Sequence, residues 1–517
     1  MVLKKKYIHE SWKKGQAESQ ITVDDDFNIS DNKPDVVKVI QEKGDIKIEE
    51  IKTGTGHIIV KGLLEFRILY KSDQSDMRIA FVEGSIPFQE SLSMDGIEES
   101  DTVKIKTQIE DLSIGIINSR KLSVRALVEL EAVAETLRDE AIAYDVEEEE
   151  EIEKKINKNN ILKLLVAKRD NCRFKHEILL PSNKPNISEV LWKNVELRGI
   201  ETKLKDGKIE VSGEALVFVL YRSAEEENLQ WIENSVPIRS EVECSVPGEE
   251  SVFQIKVTPG MIDLTVKPDY DGEERMLMLD LVLELDIRIW NEEEMDVLED
   301  LYSLKKQIVP VRQECQLERL LMKNYTKCKV AERLLVPREE GSILQICTCL
   351  GKAAVEKSTI TEKGVEAEGT IEIRLLFVTA EDASPLGAYH AIIPFSQLIE
   401  VENMTENARI ELEGGIEQLS AILIDGSSIE IKAVLNLNLI AFAKENLQKI
   451  EEVVEEELDF AQLQQCPGII GYIVKDKDSM WKIAKENHTT VENILETNEH
   501  NGQDLKVGEK LLIVKAL

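Results

Sequence analysis

The chain has 517 residues, a length that indicates about three or four domains rather than one undivided core. Its 42% apolar and 32% charged residues are typical of folded protein, and its longest apolar stretches are too short for a membrane-spanning helix. The formal charge is -35, which repels phosphate backbones and anionic lipid head groups. We therefore expect neither a nucleic-acid partner nor direct insertion into a membrane.

The amino-terminal segment and the cysteines both bear on the compartment. Basic residues begin the chain, but His9 and Glu10 stand where an export signal has its apolar region. Seven cysteines, an odd number spread over a long chain, indicate reduced thiols and predict a cytoplasmic protein. Cys347 and Cys349 would share one face of a strand, and we interpret both as small core side chains rather than zinc ligands.

One pattern occurs three times at a spacing of roughly 150 residues, which indicates tandem domains. It starts from Gly62, Gly213 and Gly369, after which every second residue is apolar. These residues are Leu64, Phe66, Ile68 and Tyr70, then Ala215, Val217, Val219 and Tyr221, then Ile371, Ile373, Leu375 and Phe377. The alternation predicts a strand with one buried face in each repeat. A second alternating run follows in each repeat, at Leu122–Leu130, Leu277–Leu285 and Ile429–Leu437.

Prolines and acidic runs mark the edges of these repeats. Pro87, Pro237 and Pro394 each follow their glycine by roughly 25 residues, and because proline cannot donate to a sheet ladder we predict an edge strand or a strand start. Acidic runs at 147–153, 291–300 and 451–459 permit helix formation. We interpret them as solvated connectors or exposed helix faces, the alternative being a docking strip for a basic partner.

The last segment, residues 470–517, differs in composition and is called the terminal module below. It carries seven Lys and eight Asp plus Glu, so it is nearly neutral beside the acidic body. We predict a strand, a helix opened by Asp478 or Ser479, a second helix whose capping box begins at Thr489, and a strand over Lys510–Val514.

The whole chain is therefore predicted to be mainly β, α+β overall. Three tandem β-rich domains would form an elongated acidic body, followed by a small β-α-α-β module. The predicted boundaries are an N-terminal extension at 1–20, repeats at 21–155, 160–308 and 315–460, and the terminal module at 470–517.

The terminal module resembles a LysM domain along its whole length, on the segments Tyr472–Lys475, Asp478–Ala484 and Leu505–Ile513. The three repeats resemble SPOCS-type domains, and the complete order resembles the SipL-like family of spore-coat morphogenesis proteins. The resemblance implies a scaffold at the forespore outer surface in the mother-cell cytoplasm. It also implies that the module docks onto the coat basement-layer ATPase, stage IV sporulation protein A, with other coat proteins as further partners.

By this resemblance we place a partner-binding site on the loops and first helix of the module. The candidate residues are Ile473, Lys477, Asp478, Ser479, Met480, Trp481, Asn498, Glu499, His500, Asn501 and Gln503. Trp481 is weighed between partial burial against the sheet and a contact in the partner interface. LysM domains typically bind N-acetylglucosamine polymers, so the alternative function is peptidoglycan binding with the repeats as spacers.

Signatures of catalysis are not found in the sequence. Phosphate-binding, nucleophile-elbow and His-Glu-x-x-His motifs do not occur, and the six histidines are scattered singly. We therefore predict a protein that is not an enzyme and that has no catalytic residues, cofactor or metal site. A hydrolase with an unfamiliar active site in the repeats is a third hypothesis.

Overall fold

The computed structural model describes residues 1–74, 77–99, 101–147, 151–223, 229–245, 251–381, 384–458, 467–499 and 505–515. Strands predominate in these ranges, and helices are confined to the terminal module apart from one 3-10 turn at Arg338–Glu340. The mainly β fold, with three β-rich repeats and a small β-α-α-β module, is confirmed.

Each repeat contains six antiparallel strands in two three-stranded sheets. The first repeat has β1 (Val2–Asn28), β2 (Val36–Gly54), β3 (His57–Ser72), β4 (Ile79–Ser93), β5 (Thr102–Asn118) and β6 (Lys121–Glu147). The second has β7 (Glu153–Leu179), β8 (Glu189–Lys205), β9 (Lys208–Arg222), β10 (Leu229–Glu243), β11 (Val252–Pro268) and β12 (Glu274–Tyr302). The third has β13 (Gln307–Leu335), β14 (Ile343–Thr361), β15 (Gly364–Thr379), β16 (Leu386–Glu400), β17 (Arg409–Asp425) and β18 (Ser428–Glu456).

The two sheets of a repeat pack face to face around their own core. In the first repeat the strand orders are β2-β3-β4 and β1-β6-β5, and the other two repeats have the same arrangement. The alternating residues predicted from sequence lie on the central strands β3, β9 and β15, and on the central strands β6, β12 and β18 of the opposite sheets. They fill three separate apolar cores, so the predicted strands and the parity of their buried faces are confirmed.

The repeated glycine lies where the neighbouring strand bulges. A shift of register in the adjacent strand accompanies each glycine, for example between Val355 and Lys357 opposite Gly369. The residue after the repeated proline pairs with the glycine from the other side, as Phe395 does with Gly369. The prolines lie in β4, β10 and β16, which are edge strands, and the prediction of edge positions is confirmed.

In each repeat the sheet that lacks the long first and last strands is called the small sheet, namely β2–β4, β8–β10 and β14–β16. The three repeats pack against one another through the outer faces of these small sheets. Leu69 of the first repeat, Leu220 of the second and Leu376 of the third meet in one cluster that also contains Trp192 and Cys347. The sequence predicts an elongated body, which a row of separate domains would produce. The repeats instead surround a shared apolar junction, because the second face of each small sheet is apolar as well.

The first and last strands of each repeat are longer than the third strand of their sheet. The parts that extend beyond that third strand meet in further clusters shared by the repeats. One cluster joins Ile8 and Ile142 of the first repeat with Met295 and Val297 of the second and Leu317 of the third. A second cluster joins Val146, Leu301 and Ile450 in the same way. Residues 1–20 lie in β1 and pair with β6 along this extension.

Two interpretations made from the sequence are wrong, one in β12 and one in β14. The acidic run 291–300 is neither a connector nor a helix face, since it belongs to β12 and buries alternate side chains such as Met295 and Val297. Cys347 and Cys349 do not share a face, because a register shift between Ile346 and Thr348 intervenes. Cys347 lies in the three-repeat junction, whereas Cys349 packs on the core of the third repeat.

The terminal module comprises β19 (Ile469–Ile473), α1 (Met480–Glu486), α2 (Val491–Thr497) and β20 (Lys510–Val514). Ser479 caps α1 by accepting from the Lys482 amide, as one of the two predicted alternatives. The cap of α2 is Thr490, not Thr489, and the predicted position is wrong by one residue. The helices pack on one face of the β19–β20 pair around Ile483, Ile494 and Leu511.

Candidate protein-docking site on the terminal module

The two strands of the terminal module leave one face open to solvent. Because side chains alternate along a strand, the helices cover one face of β19–β20 and the other carries Ile469, Ile473, Leu512 and Val514. Their exposed fractions are 64%, 58%, 46% and 40%, and Ile469 pairs directly with Val514. These four side chains are called the open strand face. Clustered exposed apolar side chains of this kind mark surfaces that bind other macromolecules.

The loop before α1 is held by the side chain of Asp478. Its carboxylate accepts from the Lys475 amide at 2.9 Å and from the Tyr472 hydroxyl at 2.8 Å. These hydrogen bonds hold the pKa of Asp478 below its ordinary value. Lys477, one residue earlier, is exposed with a φ of 63°. Asp478 and Ser479 thus organise the loop, while Lys477 is presented to solvent.

Asn498 ties the end of α2 to the closing strand. Its side-chain nitrogen donates to the carbonyls of Ile494 and Leu512, and its side-chain oxygen accepts from the Leu512 amide at 2.6 Å. Glu499 follows it, exposed and with a φ of 47°. Three other candidate residues lie outside the described part of the chain, namely His500, Asn501 and Gln503.

Trp481 lies against the end of β12 in the body. Its indole Nε1 donates to Oδ2 of Asp300 at 2.8 Å. Its ring meets the ring of Tyr302 edge to face, with 4.9 Å between centroids. Met480 packs in the same apolar cluster. The first helix therefore faces the protein's own second repeat at this position.

Two further side chains donate to Asp300 at this contact. Lys485 of α1 lies 2.7 and 2.9 Å from its two carboxylate oxygens, and Arg312 of β13 lies 2.7 Å away. Burial alone would raise the pKa of Asp300, but the hydrogen bonds from Lys485 and Trp481 and the nearby Arg312 outweigh it and hold the pKa below its ordinary value. Asp300 is therefore ionised at neutral pH.

Tyr302 closes the same contact with its hydroxyl. The group donates to the carbonyl of Thr489, in the turn between α1 and α2, at 2.9 Å. Burial raises the pKa of Tyr302, so this donor keeps its proton. Tyr302 also belongs to the apolar cluster that forms the core of the module. We call the set of Asp300, Tyr302, Trp481, Lys485 and Thr489 the module–body contact.

The candidate residues predicted on the loops and first helix of the module lie in different surroundings in the structure. Ile473 lies on the open strand face, Lys477 and Glu499 are exposed on the loops, and Trp481 lies in the module–body contact. Sequence reasoning missed Ile469, Leu512 and Val514, although their alternation along two strands was visible. No pattern in the sequence connects Asp300 with Trp481.

The described residues contain little that suggests catalysis or metal binding. They hold no group of three or more His, Cys, Asp or Glu placed to bind a metal ion. A cavity of about 40 Å³ between the second and third repeats has room for a few water molecules rather than an organic substrate. None of the helices in the described ranges has the length and apolar run needed to cross a membrane.

Comparison with known families adds the following matches. Residues 35–117, 186–268 and 342–424 match the family model described as SipL, SPOCS domain. Residues 472–514 match the LysM domain. In each repeat the match runs from the start of the second strand to the end of the fifth and leaves the long first and last strands outside. No curated protein and no solved structure matches the chain.

Proposed function

Because this chain is a SipL-type protein of three SPOCS domains and one LysM domain, we propose that it is a non-enzymatic scaffold of spore coat assembly. Its domain families fit a sporulation-related binding role. In this proposal the LysM domain docks onto the coat basement-layer ATPase, stage IV sporulation protein A, at the forespore surface in the mother-cell cytoplasm.

The open strand face is the observation that supports protein docking most directly. It presents four branched apolar side chains on a rigid two-stranded ribbon, and only Lys510 adds a charge within the same pairing register. Apolar side chains of this kind suit a complementary apolar surface on a folded protein, where a few buried residues supply most of the binding free energy. A glycan chain would instead need polar groups that fix its hydroxyls.

The charge distribution supports the scaffold role of the body. The whole chain carries a formal charge of -35, while the LysM segment is nearly neutral. Like charges on the body oppose self-association, and a low-charge module permits close contact with a partner. Binding of a partner protein is thereby concentrated on the LysM domain.

The test is a substitution on the open strand face. We expect Ile473→Asp and Leu512→Asp in the full chain to weaken binding to the purified ATPase at least about tenfold, because each places a charge at an apolar contact. Surface plasmon resonance measures the affinity, and circular dichroism checks that the module stays folded.

Ile392→Asp is the matched control, because Ile392 is 62% exposed on the edge strand β16 of the body. This variant should bind like the wild type. Unchanged affinity in both module variants would contradict the proposal. Sedimentation with insoluble peptidoglycan, lost in the same variants while ATPase binding stays normal, would favour the glycan-binding alternative.

A further inference from the structure

The two sides of the LysM domain differ in what they contact. We infer that the α1 side binds the protein's own body, and that Trp481 is a positioning residue which aims the open strand face at the partner without touching it. This inference rests on the proposed function for the identity of the partner. The module–body contact itself is independent of that identity.

Asp300 makes the contact specific. Its side chain is only 14% exposed and accepts from the Trp481 indole and from the Lys485 ammonium, both of which belong to α1. A carboxylate with little solvent needs such donors, since an unpaired buried charge is costly. Asp300 lies near the end of β12, two residues before the strand ends at Tyr302. The body thus offers an acceptor where α1 offers two donors.

Apolar packing covers the same contact. Tyr302 and Leu304 of the body pack with the LysM core, in the cluster that contains Ile483 and Ile494. The Tyr302 ring also meets the edge of the Trp481 ring. A small domain with a marginal core gains stability from such additional burial. The body therefore supports the fold of the module as well as its orientation.

The module–body contact and the open strand face lie on opposite sides of the LysM domain. The helices lie on one face of β19–β20, and the module–body contact uses α1 and the turn after it. The open strand face is the opposite face of the same two strands. An external partner can therefore approach Ile473 while Asp300 still holds Trp481. A fixed orientation lowers the ordering cost of binding, because the module does not have to be immobilised at that moment.

A double-mutant cycle in the full chain tests this assignment. The variants are Trp481→Phe, which keeps a ring but removes the N–H, Asp300→Ala, and the two combined. Amide hydrogen exchange of 480–486 and affinity for the ATPase are measured for each. Asp296→Ala is the matched control, because Asp296 is exposed on the same strand β12.

We expect Trp481→Phe to speed amide exchange of α1 about tenfold and Asp300→Ala to speed it at least as much, because both remove the Trp481–Asp300 hydrogen bond and the second also removes the pair with Lys485. Both should weaken ATPase binding. Trp481→Phe should have little further effect on either quantity in the Asp300→Ala background, which is the behaviour of two residues that act through one contact. The control should resemble the wild type in both measurements.

Two results would overturn the inference. Exchange of α1 that is unchanged in Asp300→Ala would show that the contact does not hold the module. Affinity losses that add fully in the double variant would place Trp481 in direct contact with the partner. A wild-type chain that fails to bind the ATPase would count against the proposed function alone, because the exchange measurement needs no partner.

Discussion

Tyr70 and Tyr221 illustrate how one hydroxyl stabilises a repeated loop. Each is fully buried at the same position of its repeat and donates to a proline carbonyl, that of Pro34 at 2.9 Å and that of Pro185 at 3.0 Å. Burial raises the pKa of Tyr70 to about 12, so the hydroxyl remains a donor at every physiological pH. The third repeat has Phe377 there, and a 3-10 turn replaces the proline loop.

Removal of the hydroxyl should therefore destabilise the first repeat. We expect Tyr70→Phe to lower the free energy of unfolding by about 1–3 kcal/mol, because the Pro34 carbonyl loses its buried donor. Denaturant titration followed by circular dichroism measures the change. Tyr270→Phe is the control, since Tyr270 is 92% exposed and should show no change. Equal stability of the Tyr70 variant would show that another donor, such as water, replaces the hydroxyl.

Acidification should release the module–body contact through Asp300. Its pKa is lowered in the folded protein, so its contribution to stability is present at neutral pH and above the ordinary carboxyl pKa, near 4. That contribution is lost as the pH falls through the lowered value. Hydrogen exchange of α1 at pH 7, 5 and 3, corrected for the intrinsic rate, should show extra opening only at the lowest pH. The Asp300→Ala variant should lack this pH step, and a step between pH 7 and 5 would implicate another group.

At the scale of elements, the repeated glycine lies between a bulged strand on one side and the strand that carries the repeated proline on the other. A Cβ on Gly369 would lie 2.1 Å from the Ala354 carbonyl oxygen and 2.8 Å from the Phe395 ring. The bulged neighbour brings a backbone oxygen close, and the aromatic ring after the proline covers the gap from the other strand. Gly62 has a similar environment, with the Lys47 carbonyl at 2.6 Å and the Phe88 ring at 2.8 Å. The glycine is thus required by close approach rather than by a turn.

We expect Gly369→Ala to lower the free energy of unfolding by about 1–3 kcal/mol, because backbone must move to admit the methyl group. Thermal unfolding followed by circular dichroism measures the effect. Gly415→Ala is the matched control in strand β17, where a Cβ would meet nothing within 4 Å. If both variants were equally stable, the bulge would be more adaptable than its geometry implies.

At the scale of the whole molecule, the three repeats depend on one another. Trp192 is 1% exposed in the junction, where it packs with Leu69 of the first repeat and Leu376 of the third. Ion pairs add to the contacts between repeats, as between Lys449 and Glu140 at 2.5 Å. The tandem order in sequence therefore becomes a closed arrangement of three domains around common clusters.

Truncation at the junction should destabilise all three repeats. We expect Trp192→Ala to cost about 3–5 kcal/mol through the cavity that it leaves. Hydrogen exchange should rise in the small sheets of the first and third repeats as well as in the second. Ile392→Ala, at an exposed site, should be neutral. A loss of protection confined to the second repeat would mean that the repeats fold independently.

Much of the architecture follows from sequence alone, for local reasons. Alternation of apolar residues determined the central strands and their buried faces, the missing N–H of proline placed three edge strands, and the order of apolar positions in the module indicated its β-α-α-β layout. These features depend on neighbours in sequence or on one period, so a single chain displays them. Ile473 is a candidate site residue through the resemblance to LysM domains, and its role in binding stays a prediction.

Tertiary structure alone decided how the domains meet and which side of the LysM domain is free. The leucines Leu69, Leu220 and Leu376 recur at one position of the repeat, but only packing shows that they meet one another. From sequence, the acidic run that ends at Asp300 is interpreted as a solvated connector. In the structure this run is part of β12, and the Asp300 carboxylate lies beside Trp481, 181 residues away. Such contacts join surfaces that are distant in sequence and carry no shared period, so composition and spacing cannot reveal them. Their energies arise from complementarity between two folded surfaces, and that exists only once both have formed.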